Sequence, residues 1–251
     1  MCGRYAATLP PEMLAELFKL LNRIDYPPRY NITPTQPIVA IWEQEARRTA
    51  QLVRWGLVPG WVKDPRDFPL LINARAESMA EKPSFRDAVK RLRCVIPASG
   101  YYEWMKGPDG VKRPYYITLA DDQPMAFAGL YSTWSGPEGE EVDTAAIVTV
   151  EPNLEISSIY DRMPAILRGA QAIDDWLNTR DVSARDAAKL AVPPPPGAMK
   201  YHPVGKAIGS TAAEGPDLIR PLSPEDLTAE AAAAAPPRRK KSAGGAQGEL
   251  F

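Results

Sequence analysis

Short apolar runs separated by polar punctuation dominate the chain, and helical spacing is rarer. Runs at Ile38–Trp42, Gln51–Trp55, Arg93–Ile96, Tyr115–Leu119, Met125–Leu130 and Ala145–Val150 are rich in β-branched and aromatic residues. Gly, Pro and Asp clusters bound them, which predicts strands. Helical signals are fewer. After Pro10-Pro11, the residues Leu14, Leu17, Phe18 and Leu21 recur at helical spacing and are expected to face the core. Ser84 is placed to cap a helix running to about Arg91. Further helices are expected near Asn153–Tyr160 and Ala170–Asn178. Strands that outnumber helices without alternating regularly with them argue for an α+β class with mainly antiparallel sheet, not a doubly wound parallel sheet.

Pro193–Pro196 reads as a surface loop, because apolar sequence resumes at Met199–Ile208. The ordered domain is expected over residues 1–222, and residues 223–251 as a flexible tail. That tail holds an Ala run, Pro-Pro and Arg238-Arg239-Lys240-Lys241, which together bury too little surface to fold.

Composition narrows the picture. The chain has 251 residues, 45% hydrophobic and 24% charged, as in soluble globular proteins. A net charge of −1 supplies no global attraction to nucleic acid, so any such binding needs a local basic groove. Two cysteines, Cys2 and Cys94, make no disulfide framework, and no signal peptide is evident, so a reducing cytoplasm is expected. No apolar run approaches the roughly 20 residues that span a bilayer. The single histidine, His202, excludes a metal site built from several imidazoles, and neither metal nor cofactor is expected.

Cys2 has two readings on its own residues: an incidental small residue, or a reactive one. Initiator methionine is commonly removed before a small residue, which would leave Cys2 with a free α-amine beside its thiol. Such an aminothiol condenses with an aldehyde to an imine, and the thiol then closes a five-membered thiazolidine. The α-amine titrates near ~7.7–8.0, so much of it is nucleophilic at neutral pH. Holding both nucleophiles on one residue makes the second step intramolecular. Cys94, in the apolar run Arg93-Cys94-Val95-Ile96-Pro97, reads as a small core residue.

Several motifs in order extend over residues 2–220: Cys2-Gly3-Arg4-Tyr5, Tyr30-Asn31-Ile32-Thr33-Pro34-Thr35-Gln36, and Trp55-Gly56-Leu57-Val58-Pro59-Gly60-Trp61. Ile72-Asn73-Ala74-Arg75-Ala76-Glu77 and the block from Arg93 to Tyr101-Tyr102-Glu103-Trp104 follow, then Asp161-Arg162-Met163-Pro164 and His202-Pro203-Val204. Together they resemble the SRAP family, the SOS response-associated peptidases or abasic-site processing proteins. The resemblance implies a single compact domain with a barrel-like, mainly antiparallel core and peripheral helices. It implies capture of the ring-opened aldehyde of an abasic site in single-stranded DNA as a thiazolidine crosslink. On it, Cys2 is the nucleophile, Glu103 moves protons, and Asn73 contacts the abasic sugar and the N-terminal residue. Arg4, Arg75 and Arg162 match phosphate-gripping positions, with structural ion pairs as their alternative. Trp61, near Lys63 and Arg66, is a candidate for base stacking, whereas Trp55 reads as core.

One departure stands out. The family usually places histidine before Asp-Arg-Met-Pro, and here Tyr160 stands there. A phenol donates a hydrogen bond but shuttles protons poorly at neutral pH. Capture is therefore expected to survive while ring opening or reversal slows. His202 belongs to a block that reads as structural.

The last five residues resemble the sliding-clamp-binding peptide Gln-x-x-Leu-Phe of bacterial replication and repair proteins, with Gln247, Leu250 and Phe251 as its contacts. Residues 238–241 add weak attraction to DNA. The expected protein is a monomer in the cytoplasm, associated with the nucleoid. Two competing functions are a cysteine peptidase, whose most credible substrate is its own Met1, and a non-catalytic single-strand binder.

Overall fold

A computed structural model of the chain describes residues 2–227. In chain order it contains β1 (Tyr5–Ala7), α1 (Pro11–Phe18), β2 (Arg29–Ile32), β3 (Pro37–Gln44), β4 (Arg47–Trp55), β5 (Asn73–Arg75), α2 (Arg86–Arg91), β6 (Arg93–Ala98) and β7 (Gly100–Lys106). These are followed by β8 (Lys112–Leu119), β9 (Met125–Ser135), β10 (Glu141–Val150), β11 (Met163–Pro164), α3 (Gly169–Leu177), α4 (Ala184–Leu190) and β12 (Met199–Pro203).

Five strands, in the order β10-β4-β3-β6-β9, close into a barrel because β9 pairs back onto β10. The fold is α+β, as the strand-rich pattern implies. Most ladders are antiparallel, but β10 runs parallel to β4 and to β5. A second sheet, β12-β8-β7-β1-β2, lies against the barrel. Tyr5 and Tyr101 on its inner face meet Trp55 and Phe127 edge-to-face, with centroids 5.3–6.2 Å apart. Its outer face carries Ala6, Tyr102 and Tyr116, which pack on Val204, Ile208 and Leu218. Gly100 is required beneath that face, since a Cβ there would stand 2.4 Å from the Tyr116 ring.

Arg93 is 1% exposed, and its guanidinium donates to the carbonyls of Val89 (2.8 Å), Trp176 (2.5 Å), Asn178 (2.8 Å) and Val182 (3.0 Å). It thereby satisfies the Val89 and Trp176 carbonyls at the ends of α2 and α3, where a helix has no donors of its own, and reaches on to the turn before α4. Burial pulls its pKa down to about 10, so it stays charged at neutral pH.

Three local expectations are corrected. Leu14 and Phe18 are buried, but Leu17 is 47% and Leu21 66% exposed. The buried stripe of α1 is one i,i+4 pair wide, and Lys19, with φ of 53°, ends the helix before Leu21. Ser84 does not cap α2. Phe85 holds the cap position without a side-chain bond, because the helix is entered from a turn in which Phe85 and Arg86 N–H already bond the Lys82 carbonyl. The helix expected at Asn153–Tyr160 is one 3₁₀ turn, Ile156–Ser158, and the Asn153 side chain caps it by accepting from Ile156 N–H at 3.2 Å.

The compact unit that holds these sheets ends at Pro221. In the next unit, residues 224–227 make one helical turn in which Ser223 and Asp226 cap each other reciprocally. Gln247, Leu250, Phe251 and residues 238–241 lie outside the described residues. Among the described residues, no helix is long and apolar enough to cross a membrane, and no cluster of His, Cys, Asp and Glu is suited to a metal ion.

Candidate functional site

Strand β1 brings the start of the chain into the protein. Tyr5 faces Tyr101 and Ala6 faces Gly100 in the antiparallel β1–β7 ladder, and Tyr102 N–H donates to the Arg4 carbonyl at 2.9 Å. The ladder ends at Tyr5, and Cys2 ahead of it packs into the same buried cluster as Tyr5 and Tyr101. Alternation along β7 turns Tyr101 and Glu103 to the inner face and Tyr102 to the outer one. Cys2 is 0% and Glu103 4% exposed.

Electrostatics ties these groups together. Burial raises the Glu103 carboxyl to about 8, and the charge of Asp161 pushes the same way. Burial also raises the Cys2 thiol, and Glu103 raises it further. Tyr160, partly buried, is raised by burial and then by Glu103 and Asp161. Tyr101, fully buried, is raised by burial, Cys2 and Glu103. At neutral pH the pocket therefore holds a thiol, a protonated carboxyl and two neutral phenols. That is a poor place for a standing thiolate and a good one for an acid that gives up a proton on demand.

Asn73 lies on β5, opposite Ile147 of β10. Its amide nitrogen and oxygen are both buried, and neither has a hydrogen-bond partner in the protein. Buried amides are normally satisfied, so this one is free to serve an incoming ligand. Arg75 shares its face two residues on, is exposed, and holds no ion pair among the described residues. The two flanks of β10 meet at Thr149. Its carbonyl accepts from Ala76 N–H (2.9 Å) and from Arg162 (2.6 Å), which links the Asn73–Arg75 strand to the segment carrying Tyr160 and Asp161.

The remaining arginines are engaged. Arg162 pairs with Glu77 at 2.8 and 3.0 Å. Arg4 donates to Asn31 Oδ1 (2.9 Å) and to the Ile208 carbonyl, with its guanidinium 5.8 Å over the Trp104 ring. Trp61 is 58% exposed and meets Phe68 edge-on, at the rim of a groove of about 510 Å³ that also includes Ser84 and Arg91. Trp55 and Cys94 are fully buried. His202 sits on β12, at the far edge of the second sheet, with Nε2 2.9 Å from the Ile219 carbonyl. It is no partner for Cys2.

Two members of the cluster, Tyr101 and Asp161, were not singled out by sequence. Tyr101 stood inside a quoted motif, two residues before Glu103. Strand alternation would have placed both on one face had Gly100–Lys106 been read as a strand.

Comparison with known proteins bears on the family and the fold. The family model described as SOS response associated peptidase (SRAP) matches residues 1–211. The abasic site processing protein YoqW of Bacillus subtilis is 36% identical over 222 residues, covering 87% of this chain and 99% of that one. The abasic site processing protein YedK of Escherichia coli is 33% identical, covering 88% and 100%. A crystal structure of a protein from Bacteroides thetaiotaomicron superposes with a TM-score of 0.80 at 26% identity, over 88% of this chain and all of that one. With its ordered motifs, its closed barrel and its buried second residue, the chain belongs to the SRAP family.

Proposed function

We propose that this protein processes abasic sites in single-stranded DNA, capturing the lesion covalently through Cys2 once Met1 has been removed. The observation that carries this is the enclosure of Cys2 beside a carboxyl that is protonated at neutral pH. The names of the relatives YoqW and YedK support the substrate class.

The chemistry follows from those two groups. The Cys2 α-amine adds to the aldehyde carbon of the opened deoxyribose, giving a carbinolamine. Glu103 delivers a proton to its hydroxyl, which leaves as water as the nitrogen lone pair forms the iminium, and the Glu103 carboxylate takes back the nitrogen proton to leave the neutral imine. The Cys2 sulfur then bonds to the imine carbon. The π pair moves to nitrogen, and the thiol proton ends there, so the thiazolidine forms without an oxidant or reductant. The free amide of Asn73 holds a sugar hydroxyl and the amine, and Arg75 takes a phosphate. Arg4 and Arg162 reach phosphates only by exchanging their present partners. Tyr160 donates a hydrogen bond where the family's histidine usually stands. The C-terminal peptide with Gln247, Leu250 and Phe251 tethers the protein to a replication sliding clamp.

A papain-like peptidase needs an imidazole beside the thiol. The only histidine is spent on the Ile219 carbonyl, and the thiol is held protonated, so peptide chemistry is confined to removal of Met1.

Intact mass spectrometry after incubation with abasic single-stranded DNA tests the proposal. Loss of Met1 and a single covalent adduct are expected together, and Cys2→Ala keeps DNA binding while losing the adduct. An adduct of equal yield in Cys2→Ala would overturn it.

A further inference from the structure

The hydroxyl of Tyr101 is an exception in this core. The residue is fully buried, yet its Oη has no hydrogen-bond partner in the protein. Neighbouring buried aromatic side chains satisfy their polar atoms. Tyr102 donates to the Tyr30 carbonyl at 2.8 Å, Trp55 to Ile72 at 3.0 Å, and Trp176 to Cys94 at 2.8 Å. A buried hydroxyl left unpaired is costly, so packing alone favours phenylalanine at this position. The ring has ordinary packing duties, edge-on to Phe127 and across the ladder from Tyr5. The hydroxyl has none. It lies on the same face of β7 as Glu103 and in the same buried cluster as Cys2, the two titratable groups nearest to it in effect.

We propose that Tyr101 donates its hydroxyl proton in a hydrogen bond to the Cys2 sulfur during thiazolidine closure, which makes it a further residue of the capture reaction. The inference rests on the capture chemistry proposed above. When the S–H bond breaks and sulfur bonds to the imine carbon, negative charge builds on a sulfur that burial and Glu103 both disfavour as an anion. A neutral phenol in the same buried cluster as Cys2, its hydroxyl held by no other group, opposes that penalty without bringing in water. The Tyr101 proton stays on its own oxygen. The thiol proton passes to the imine nitrogen, so the balance of the closure step is unchanged.

Tyr101→Phe removes the hydroxyl alone. Quenching timed reactions with borohydride reduces the imine to a stable amine and leaves the thiazolidine intact, which separates the two steps. Imine formation is expected at the wild-type rate and ring closure roughly tenfold slower or more, the worth of a charge-assisted hydrogen bond. The thermal midpoint is expected to hold or rise, which a merely structural role would not give. Closure at the wild-type rate in Tyr101→Phe overturns this inference alone, whereas no adduct with the wild-type chain overturns the capture reaction and this inference with it. Should the phenylalanine variant fail to fold, a ring-fluorinated tyrosine at 101 decides, because it keeps the shape and strengthens the donor. Faster closure supports the inference, and unchanged closure overturns it.

Discussion

Glu103 shows how one residue's surroundings set both its chemistry and its energetic cost. Its carboxyl is raised to about 8 by burial, with Asp161 adding to the shift. The folded chain therefore keeps a proton that the unfolded chain releases. Between the ordinary glutamate range and about 8, stability contributed by this group falls as pH rises, and it levels off above that window. Urea midpoints for Glu103→Gln are expected to lose this slope. The crosslinking rate of the wild type is expected to fall as pH climbs through about 8, where the acid loses its proton, while Glu103→Gln is slower and flat across that range. Tyr160 offers a second test. Tyr160→His is expected to speed capture of closed abasic sites while leaving pre-opened sites unchanged, and equal rates to wild type on both would remove Tyr160 from ring opening. Cys2, Asn73, Glu103 and Tyr160 were singled out in sequence because the family resemblance implies a role at each of those positions. Tyr101 and Asp161 were not, since their place in the site depends on strand alternation and on a loop returning beside β7.

At the scale of elements, Arg93 joins pieces that sequence treats separately. It anchors α2, the end of α3 and the turn before α4 to the first residue of β6. Arg93→Ala takes a donor from four carbonyls, of which only Asn178 keeps another, Val182 N–H, and is expected to cost about 3 kcal/mol or more. That corresponds to a fall of roughly 6–12 °C in thermal midpoint for a chain of this size. A calorimetric scan within about 2 °C of wild type would show that water replaces the guanidinium without loss. The apolar runs located β3, β4, β6, β8, β9 and β10, with ends a few residues short. They missed β7, whose Gly100, Glu103 and Lys106 break the apolar pattern although its neighbours bury most of it. They also missed α4, a short helix whose Ser183 cap accepts from Asp186 N–H at 3.1 Å. The two- and three-residue strands β5 and β11 carry no periodicity to read, because they are defined by their pairing with β10.

For the whole molecule, closure of the barrel is the feature that sequence left least visible. Antiparallel neighbours follow from hairpins, but the β4–β10 pairing is parallel and joins residues 54–55 to 144–145. Thr144 seals that junction, accepting from Val58 N–H at 2.9 Å and donating to the Ser132 carbonyl at 3.1 Å. Barrel shape came from family resemblance and not from the pattern of residues. The clamp peptide is tested on the full chain: deleting residues 247–251 is expected to abolish clamp pull-down while leaving crosslinking in solution unchanged. Pull-down that persists would assign the contact elsewhere.

The ladder that buries Cys2 also imposes an order of events on the newborn chain. Strand β1 can pair with β2, at residues 29–32, early, but the side that carries Glu103 stays open until β7, at residues 100–106, has been made. At about 5–20 residues per second, the ribosome needs on the order of 5–20 s to reach it. Throughout that interval the first residues cannot be enclosed, and an aminopeptidase can trim Met1. Once the sheet forms, the opportunity passes. On the proposed chemistry, maturation thus has two routes: chains trimmed in that interval fold with Cys2 already free, and chains that fold first depend on removal of Met1 by the protein itself.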